Sequence, residues 1–582
     1  MCGIAGIIGS LSSELNIKKM INKIKYRGPD NLSFINRQNI FSLGFARLKI
    51  IDRLDRSNQP FYSKCRNYCI IFNGEIYNYK EISKKLNNVK LNTLSDTEIL
   101  LESYIKWGAE CLKKFEGMYS FAIWDNFKNK LFCAVDCFGI KPFYYTKFKD
   151  SFIFASEISA LLEFDLPKKI NDKIVYDFLA YAQNDHTDET FFLNIKKLPA
   201  ASYFFLDLNC SDPEIFKYWD LSNNYKTNFS RNQTDREEEL SNLFKEIIEI
   251  STNSDAPSAI ALSGGIDSAF ILNNLTQKSK KIDTFSFIFK NKKYSELSNI
   301  KNTLDQNKKI FKSKIRSSFI TIEKEDFFKG QNLMLEQQQE PHAGLPIYAY
   351  SSLAKAAKEK GIKVLFDGTG LDELFMGYDF LKYCYQMDLK KNNGDFAQFQ
   401  DNTTVNNLDL LEKKINIYKN INVKSKKKFN SLYKNETYKM ITSSKLPRSL
   451  RYRDRLSMHN SIELRPIFLN KKLFEFAFAM PEKDKIFNNQ TKYILRKIGK
   501  KYLHKNILSA RKQHIQTPSR EWTSEMFNKR VEKLCLYDYG IINKKKLFNK
   551  YIKNSRGGGG GVNNNFFLYQ CLVLDDWIKK YI

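Results

Sequence analysis

Short apolar and β-branched runs, each closed by turn residues, recur through the first two hundred positions. They fall at Tyr68–Phe72, Ser120–Trp124, Lys130–Val135, Phe143–Thr146, Ser151–Ala155 and Ala201–Leu206. This pattern predicts antiparallel strands packed as sheets. The stretch C-G-I-A-G-I-I-G after Met1 predicts one more strand, with Cys2 at its end. Residues from about 207 to 235 are polar and irregular and read as a linker. The pattern then changes. Leu240, Leu243, Phe244, Ile247 and Ile248 have helical spacing. Ala259–Leu262 is a short buried-type strand, followed by a glycine loop and the helical run Ala269–Leu275. Ile282–Phe289 and Ile362–Phe366 are further strands, the second preceded by the helix-like Tyr348–Lys360. Strand–helix–strand repetition predicts a parallel sheet with helices on its faces.

Beyond about 375 the chain reads as mostly helical, with a Lys/Asn-rich surface excursion near 390–437 and a flexible R-G-G-G-G-G loop at Arg556–Gly561. A chain of 582 residues exceeds one core. The expected division is 1–206, a linker at 207–235, and 236–582.

Composition narrows the class. Hydrophobic residues make up 42%, enough for buried cores and too many for a disordered chain. No uncharged apolar run approaches the about 20 residues of a membrane span. The start lacks the basic segment of a signal peptide, and the ten cysteines are scattered without C-x-x-C pairs. Reduced thiols in a cytoplasmic protein are expected. The net charge of +30 is carried by lysines spread among asparagines. It forms no arginine-rich patch with interleaved aromatics, so no nucleic-acid partner is expected.

Two groups of residues carry chemistry. A small residue at position 2 permits loss of Met1, which would give Cys2 a free α-amine, with an ordinary pKa of about 7.7–8.0, beside its thiol. That amine can take the thiol proton and leave a thiolate able to attack an amide carbonyl. Around it come Tyr26-Arg27-Gly28-Pro29-Asp30, Phe45-Ala46-Arg47-Leu48, Phe72-Asn73-Gly74-Glu75-Ile76-Tyr77-Asn78 and Leu94-Ser95-Asp96-Thr97-Glu98. Taken singly these have plainer readings: a capped turn, a surface ion pair, a helix N-cap.

In this order they resemble a class II glutamine amidotransferase domain of the N-terminal-nucleophile hydrolase fold, an αββα sandwich. The resemblance implies Cys2 as nucleophile, with the Asn73 side-chain N–H and Gly74 backbone N–H as oxyanion hole. It implies Arg47 as the clamp for the glutamine α-carboxylate, with Glu75 and Asp96 around the α-amine.

The second group is Ala261-Leu262-Ser263-Gly264-Gly265-Ile266-Asp267-Ser268, a glycine loop joining strand to helix. Glycines admit phosphate oxygens close to the backbone, and serines and the helix N-terminus supply donors. The G-K-[ST] ending of a γ-phosphate loop is missing. S-G-G-I-D-S resembles the PP-loop of ATP pyrophosphatases. Asp367-Gly368-Thr369-Gly370-Leu371-Asp372-Glu373 follows a later strand, where paired acids suit Mg²⁺ and pyrophosphate. Basic segments follow at Arg453–Met458, Ser461–Arg465, Lys492–Arg496 and Arg511-Lys512.

Both domains in this order resemble the asparagine synthetase family across nearly the whole chain. The expected architecture is therefore mixed α+β and α/β: the sandwich, then a doubly wound PP-loop domain with a helical C-terminal region. The resemblance implies that Leu262, Ser263, Gly264, Gly265, Asp267, Ser268, Phe287, Asp367 and Gly368 hold ATP. It implies Asp267, Asp372 and Glu373 as Mg²⁺ and pyrophosphate ligands, and Lys512 as a stabiliser of adenylation. The reaction the resemblance implies takes ammonia from glutamine and activates a carboxylate with ATP as acyl-adenylate, giving an amide, glutamate, AMP and pyrophosphate. A homodimer is the family expectation.

The acceptor side departs from the family. Thr369 stands where a carboxylate is usual, Glu340–Pro346 replaces the usual aspartate-pocket stretch, and Ile462–Asn470 differs from the common pattern. Two acceptors stay open: aspartate, or a uronic-acid sugar of surface polysaccharide, with His342 a candidate contact to a sugar hydroxyl or ribose. An RNA-modifying PP-loop enzyme would need a basic RNA-binding module, which the sequence lacks. A lactam-forming branch is disfavoured by Cys2.

Overall fold

The computed structural model describes residues 2–87, 89–209, 212–225, 232–279, 281–312, 314–342, 344–390, 407–420, 427–510, 518–553 and 565–582. Arg511-Lys512, the Arg556–Gly561 run and residues 391–406 and 421–426 of the Lys/Asn-rich stretch lie outside these.

The N-terminal half contributes, among the described residues, strands β1 Gly3–Gly9, β2 Asn31–Arg37, β3 Phe41–Arg47, β4 Phe61–Tyr62, β5 Tyr68–Ile76, β6 Gly117–Asp125, β7 Lys130–Val135, β8 Tyr144–Phe148, β9 Ser151–Ala155, β10 Lys196–Lys197, β11 Ser202–Asp207 and β12 Phe216–Lys217. They form two antiparallel sheets, β10-β8-β9-β1-β3-β2 and β12-β11-β7-β6-β5-β4. Side-chain alternation explains why they stack. In β1, Ile4 and Ile8 enter the core between the sheets, whereas Ala5 and Ile7 face outward under the helix Glu14–Lys23. In β5, Cys69 and Ile71 point inward, and Ile70 and Phe72 lie under the outer helices. Phe41 of one sheet stacks on Trp124 of the other at 4.6 Å. Gly44 lets the helix approach closely, since a Cβ there would lie 2.3 Å from Ile21. This is the expected αββα sandwich.

The C-terminal half is built on a parallel sheet of β13 Ser258–Ala261, β14 Lys281–Phe289, β15 Lys314–Ile322, β16 Val364–Asp367 and β17 Glu463–Pro466. Its order is β15-β14-β13-β16-β17, with all pairings parallel. Helices Gln233–Ser251 and Ile266–Lys278 cover one face, and Leu345–Glu359 and Lys445–His459 the other. The order reverses between β13 and β16, so the crevice outside their carboxyl ends is where a doubly wound sheet takes ligands.

The expected strands recur within a few residues, and Lys130–Val135 and Ser151–Ala155 are identical. β15 escaped the sequence pattern. It is an edge strand, K-I-R-S-S-F-I-T-I, whose burial is too interrupted to read as buried. In the segment read as a linker, Phe216–Lys217 pairs with β11, and the Tyr218 hydroxyl donates to Val135 O at 2.9 Å.

The halves share a buried polar seam. Arg27 is fully buried. Its Nη1 lies 2.7 Å from Glu157 of the sandwich, and its Nη2 lies 2.9 Å from Asp454 of the second half. Its Nε donates to Cys2 O at 3.1 Å. The helix Asn565–Tyr581 packs back on the sandwich, its Trp577 ring 5.0 Å from Phe192 and 5.6 Å from Phe191.

Arg27→Ala takes the bridging cation from two buried carboxylates, leaving Asp454 with Lys141 and Glu157 with Tyr26 and Gln339, so unfolding free energy falls by about 3 kcal/mol. Urea denaturation of the full chain, followed by far-UV signal, measures this; an unchanged midpoint would contradict the account of the seam.

Candidate active site

Pairing of β1 with β3 and β9, Gly3 opposite Ala46 and Ala5 opposite Ala155, places Cys2 at a sheet end. A small cavity there is lined by Cys2, Arg47, Gly74, Glu75, Asp96 and, from the second half, Glu463. Cys2 N donates to Asn73 Oδ1 at 3.1 Å, and Cys2 Sγ is 4.0 Å from Leu48 O. Burial pushes the Cys2 thiol up, against the pull of nearby positive charge that includes Arg47.

Asn73 is fully buried and directs Nδ2 to the hydroxyls of Ser120 and Ser156, at 3.5 and 3.4 Å. Its amide therefore orients the Cys2 nitrogen in this arrangement. Gly74 has φ +151°, and a Cβ would fall 2.1 Å from Met118 O, so only glycine fits there.

Arg47 ends β3. Its guanidinium donates to Leu54 O (2.8 Å), Asn58 Oδ1 (2.7 Å) and Asp52 O (2.6 Å), which fixes its plane at the cavity. Ser95 caps the helix Asp96–Trp107, and Asp96 at its first turn accepts from Ile76 N at 2.9 Å. Burial pushes the Asp96 carboxyl up to about 6. Glu75 is paired with Arg465 of the second half.

The second site is a cavity of about 410 Å³ at the carboxyl ends of β13 and β16. Ser263, Gly264, Gly265, Asp267, Ser268, Phe287, Asp367, Gly368, Asp372 and Glu373 line it. Gly368 makes a close approach to the loop, since a Cβ there would sit 3.0 Å from Asp267 Cβ. The loop is shaped by Ser268 Oγ, which accepts from Ser263 N at 3.1 Å, and by Glu296, which accepts from Gly264 N at 3.0 Å. Leu262 differs from the other predicted residues. Its side chain belongs to the hydrophobic core, and its N–H donates to Phe285 O at 2.8 Å.

The cavity's charges are arranged in pairs. Lys492 Nζ lies 2.6 Å from Asp267 and 2.7 Å from Asp372. Tyr378 donates to Glu373 at 2.8 Å. Arg453 pairs with Asp367, donates to Tyr350 OH at 3.0 Å and stacks on its ring at 4.4 Å. Thr369 N donates to Asp367 Oδ1 at 2.8 Å. Nothing in the sequence marked Lys492, Arg453, Glu296 or Tyr350 separately as site residues: Lys492 and Arg453 lie in the basic segments, Tyr350 in the helix-like run Tyr348–Lys360, and Glu296 just before the helix Leu297–Phe311. Lys512 lies outside the described residues. His342 is buried away from the cavity, accepts from Gly344 N at 3.3 Å, and is pushed down to about 3 by burial and then by Arg451, which fits a structural role. Among the described residues no three His, Cys, Asp or Glu side chains form a ready-made metal cage, and no helix is long and apolar enough to cross a membrane.

A thiol pocket on a sandwich and a phosphate-type loop on a doubly wound sheet, joined through one seam, are the two halves of a glutamine-dependent C–N ligase. Comparison with known proteins agrees. Residues 1–219 match the glutamine amidotransferase domain and residues 239–576 match asparagine synthase. The chain belongs to the asparagine synthetase family, whose synthetase domain uses ATP. It is 29% identical to asparagine synthetase [glutamine-hydrolyzing] 1 of Bacillus subtilis, over 92% of this chain and 90% of that one. It is 32% identical to putative asparagine synthetase [glutamine-hydrolyzing] 2 of Methanocaldococcus jannaschii, over 67% of this chain and 78% of that one. A solved allosteric regulatory enzyme of purine biosynthesis overlaps 55% of this chain and 80% of its own, with a TM-score of 0.30 and 13% identity, too slight a likeness to bear on the fold.

The raised Asp96 carboxyl has a consequence for stability. The folded state holds its proton more tightly than the unfolded chain, from 3.8 up to about 6. This contribution is fully present below the unfolded value and is lost as pH rises through about 6. Asp96→Asn removes it. Between pH 4 and pH 7.5 the unfolding free energy of the variant, relative to wild type, should improve by about 2 kcal/mol. Denaturant curves at both pH values check this, and a pH-independent difference would count against it.

Proposed function

We propose that the protein takes ammonia from glutamine at Cys2 and uses ATP at the second cavity to convert a carboxylate, by default that of L-aspartate, into its amide. The observation that carries this reading is the joining of the Cys2–Arg47–Asp96 pocket to the Ser263–Ser268 loop cavity through a buried interface of one chain.

In this mechanism loss of Met1 frees the Cys2 α-amine, which takes the thiol proton. The thiolate attacks the glutamine side-chain carbonyl, and Gly74 N–H, with the Asn73 amide turned toward it, stabilises the oxyanion. Arg47 holds the α-carboxylate, while Glu75 and Asp96 lie near the α-amine. Ammonia leaves and water releases glutamate from the thioester. Internal passage of ammonia to the second site keeps it from being protonated in bulk water.

At that site the Ser263–Ser268 loop holds ATP by backbone donors and hydroxyls, with Phe287, Asp367 and Gly368 alongside. The acceptor carboxylate attacks the α-phosphorus, pyrophosphate departs, and ammonia displaces AMP from the acyl carbon. Lys512 is proposed to stabilise the adenylation step. Asp267 and Asp372 converge on the Lys492 ammonium, so two hard oxygen ligands already point at one place, with Glu373 near. This donor set fits Mg²⁺, which keeps several waters and needs no full cage. When bound, the ion would offset phosphate charge.

A uronic-acid acceptor is the second reading. It is favoured by Thr369, which offers no carboxylate and whose hydroxyl is engaged by Asp367.

Cys2→Ala should abolish glutamine-dependent pyrophosphate release while ammonia-driven release continues; glutamine use by that variant would refute the assignment. An acceptor panel with glutamine and ATP-Mg²⁺ should show stimulation by aspartate. Stimulation by a uronic acid alone would replace the first acceptor with the second.

A further inference from the structure

β17 belongs to the synthetase sheet, with Glu463 opposite Val364 and Arg465 opposite Phe366. Its two charged side chains nevertheless serve the other half. Glu463 forms part of the wall of the Cys2 cavity. Arg465, fully buried, lies between Glu75 of that wall and Glu463, with Nε 2.5 Å from Glu463 Oε1. Its Nη1 is anchored on Ser251 O at 3.0 Å and Asn253 O at 2.6 Å, so the synthetase half fixes where the guanidinium stands.

Glutamine is a zwitterion and needs a cation and an anion at opposite ends of its pocket. The basic side chain lining the cavity is Arg47, and the acids are Glu75, Asp96 and Glu463. Three carboxylates so close repel one another, and burial adds to the cost. Arg465 offsets that charge from behind the wall.

We propose that strand β17 of the synthetase sheet completes the glutamine pocket: Glu463 receives the α-ammonium together with Glu75 and Asp96, and Arg465 is the positioning residue that holds Glu75 and Glu463 in place. The proposal rests on the glutaminase reading above and extends it to a residue of the opposite half. Burial raises the Glu463 carboxyl, and the positive charge around it, Arg465 and Lys141 included, pulls it down. The same strand reaches the ATP cavity, because Ile467 N donates to Asp367 O at 3.1 Å. Glutamine affinity is then a property of the docked halves, and the sandwich alone presents an unfinished site.

The test is steady-state glutamine hydrolysis by the full chain, for wild type, Glu463→Gln, Arg465→Gln, Arg465→Lys and Cys2→Ala. Glu463→Gln removes one charge-assisted contact, so glutamine KM should rise roughly ten- to a hundredfold, with a much smaller change in kcat. Arg465→Gln should raise KM in the same direction, and Arg465→Lys should recover part of the loss. Arg465→Gln and Glu75→Gln should be non-additive when combined, as residues of one cluster are. Glu463→Gln keeps shape and hydrogen bonding, so it tests the proposal even if Arg465→Gln unfolds. An unchanged glutamine KM in Glu463→Gln, with wild type active and Cys2→Ala inactive, overturns this proposal alone. Inactive wild type, or active Cys2→Ala, overturns the glutaminase reading beneath it.

Discussion

Buried guanidinium groups at the seam decide how the two halves meet. Arg27 and Arg465 are each fully buried, each bonded to carboxylates, and each anchored to backbone carbonyls. A planar, permanently charged fork can satisfy several acceptors at fixed angles. Out of water, such a group tolerates little displacement, since any lost partner leaves an unpaired charge. Apolar contact between the halves, such as Phe138 against Phe474 at 4.5 Å, supplies area but little direction. Direction comes from the arginines, and with it the register of one site against the other.

Much of the architecture was legible because the strands of both halves read as short apolar runs. Those of the sandwich send alternate side chains to the core between the sheets and to the outer helices, and turn residues separate them. The central parallel strands are buried on both faces and read as unbroken apolar runs, as Ser258–Ala261 and Val364–Asp367 show. β15 failed because an edge strand needs neither pattern. The site was legible where chemistry demands particular residues in a local string: Cys2, Asn73-Gly74 and the Ser263–Ser268 loop. It was illegible where partners come from far along the chain. Lys492 lies 225 positions from Asp267, Arg453 pairs with a residue 86 positions back, and nothing local distinguishes either from a surface cation. Glu463 belongs to the same class, since its meaning depends on a sheet edge meeting another domain.

Electrostatically the two sites are opposites. The cavity around Cys2 gathers acids with one lining arginine, which suits an amino acid held by both ends. The larger cavity interleaves Lys492, Arg453 and Arg496 with Asp267, Asp367 and Asp372. Phosphates arriving there compete for lysine and arginine that are already engaged, so binding exchanges ion pairs more than it creates them, and selectivity follows from which exchange is complete.

The return of the helix Asn565–Tyr581 onto the sandwich bears on how the chain is made. Phe178, Phe191 and Phe192 belong to the apolar cluster that includes Trp577, Leu568 and Leu572. On a ribosome adding about 5–20 residues per second, that outer face waits tens of seconds for the segment that covers it. The sandwich therefore emerges with an apolar face open, and newly made chains must keep that face from its neighbours until the covering helix has been made.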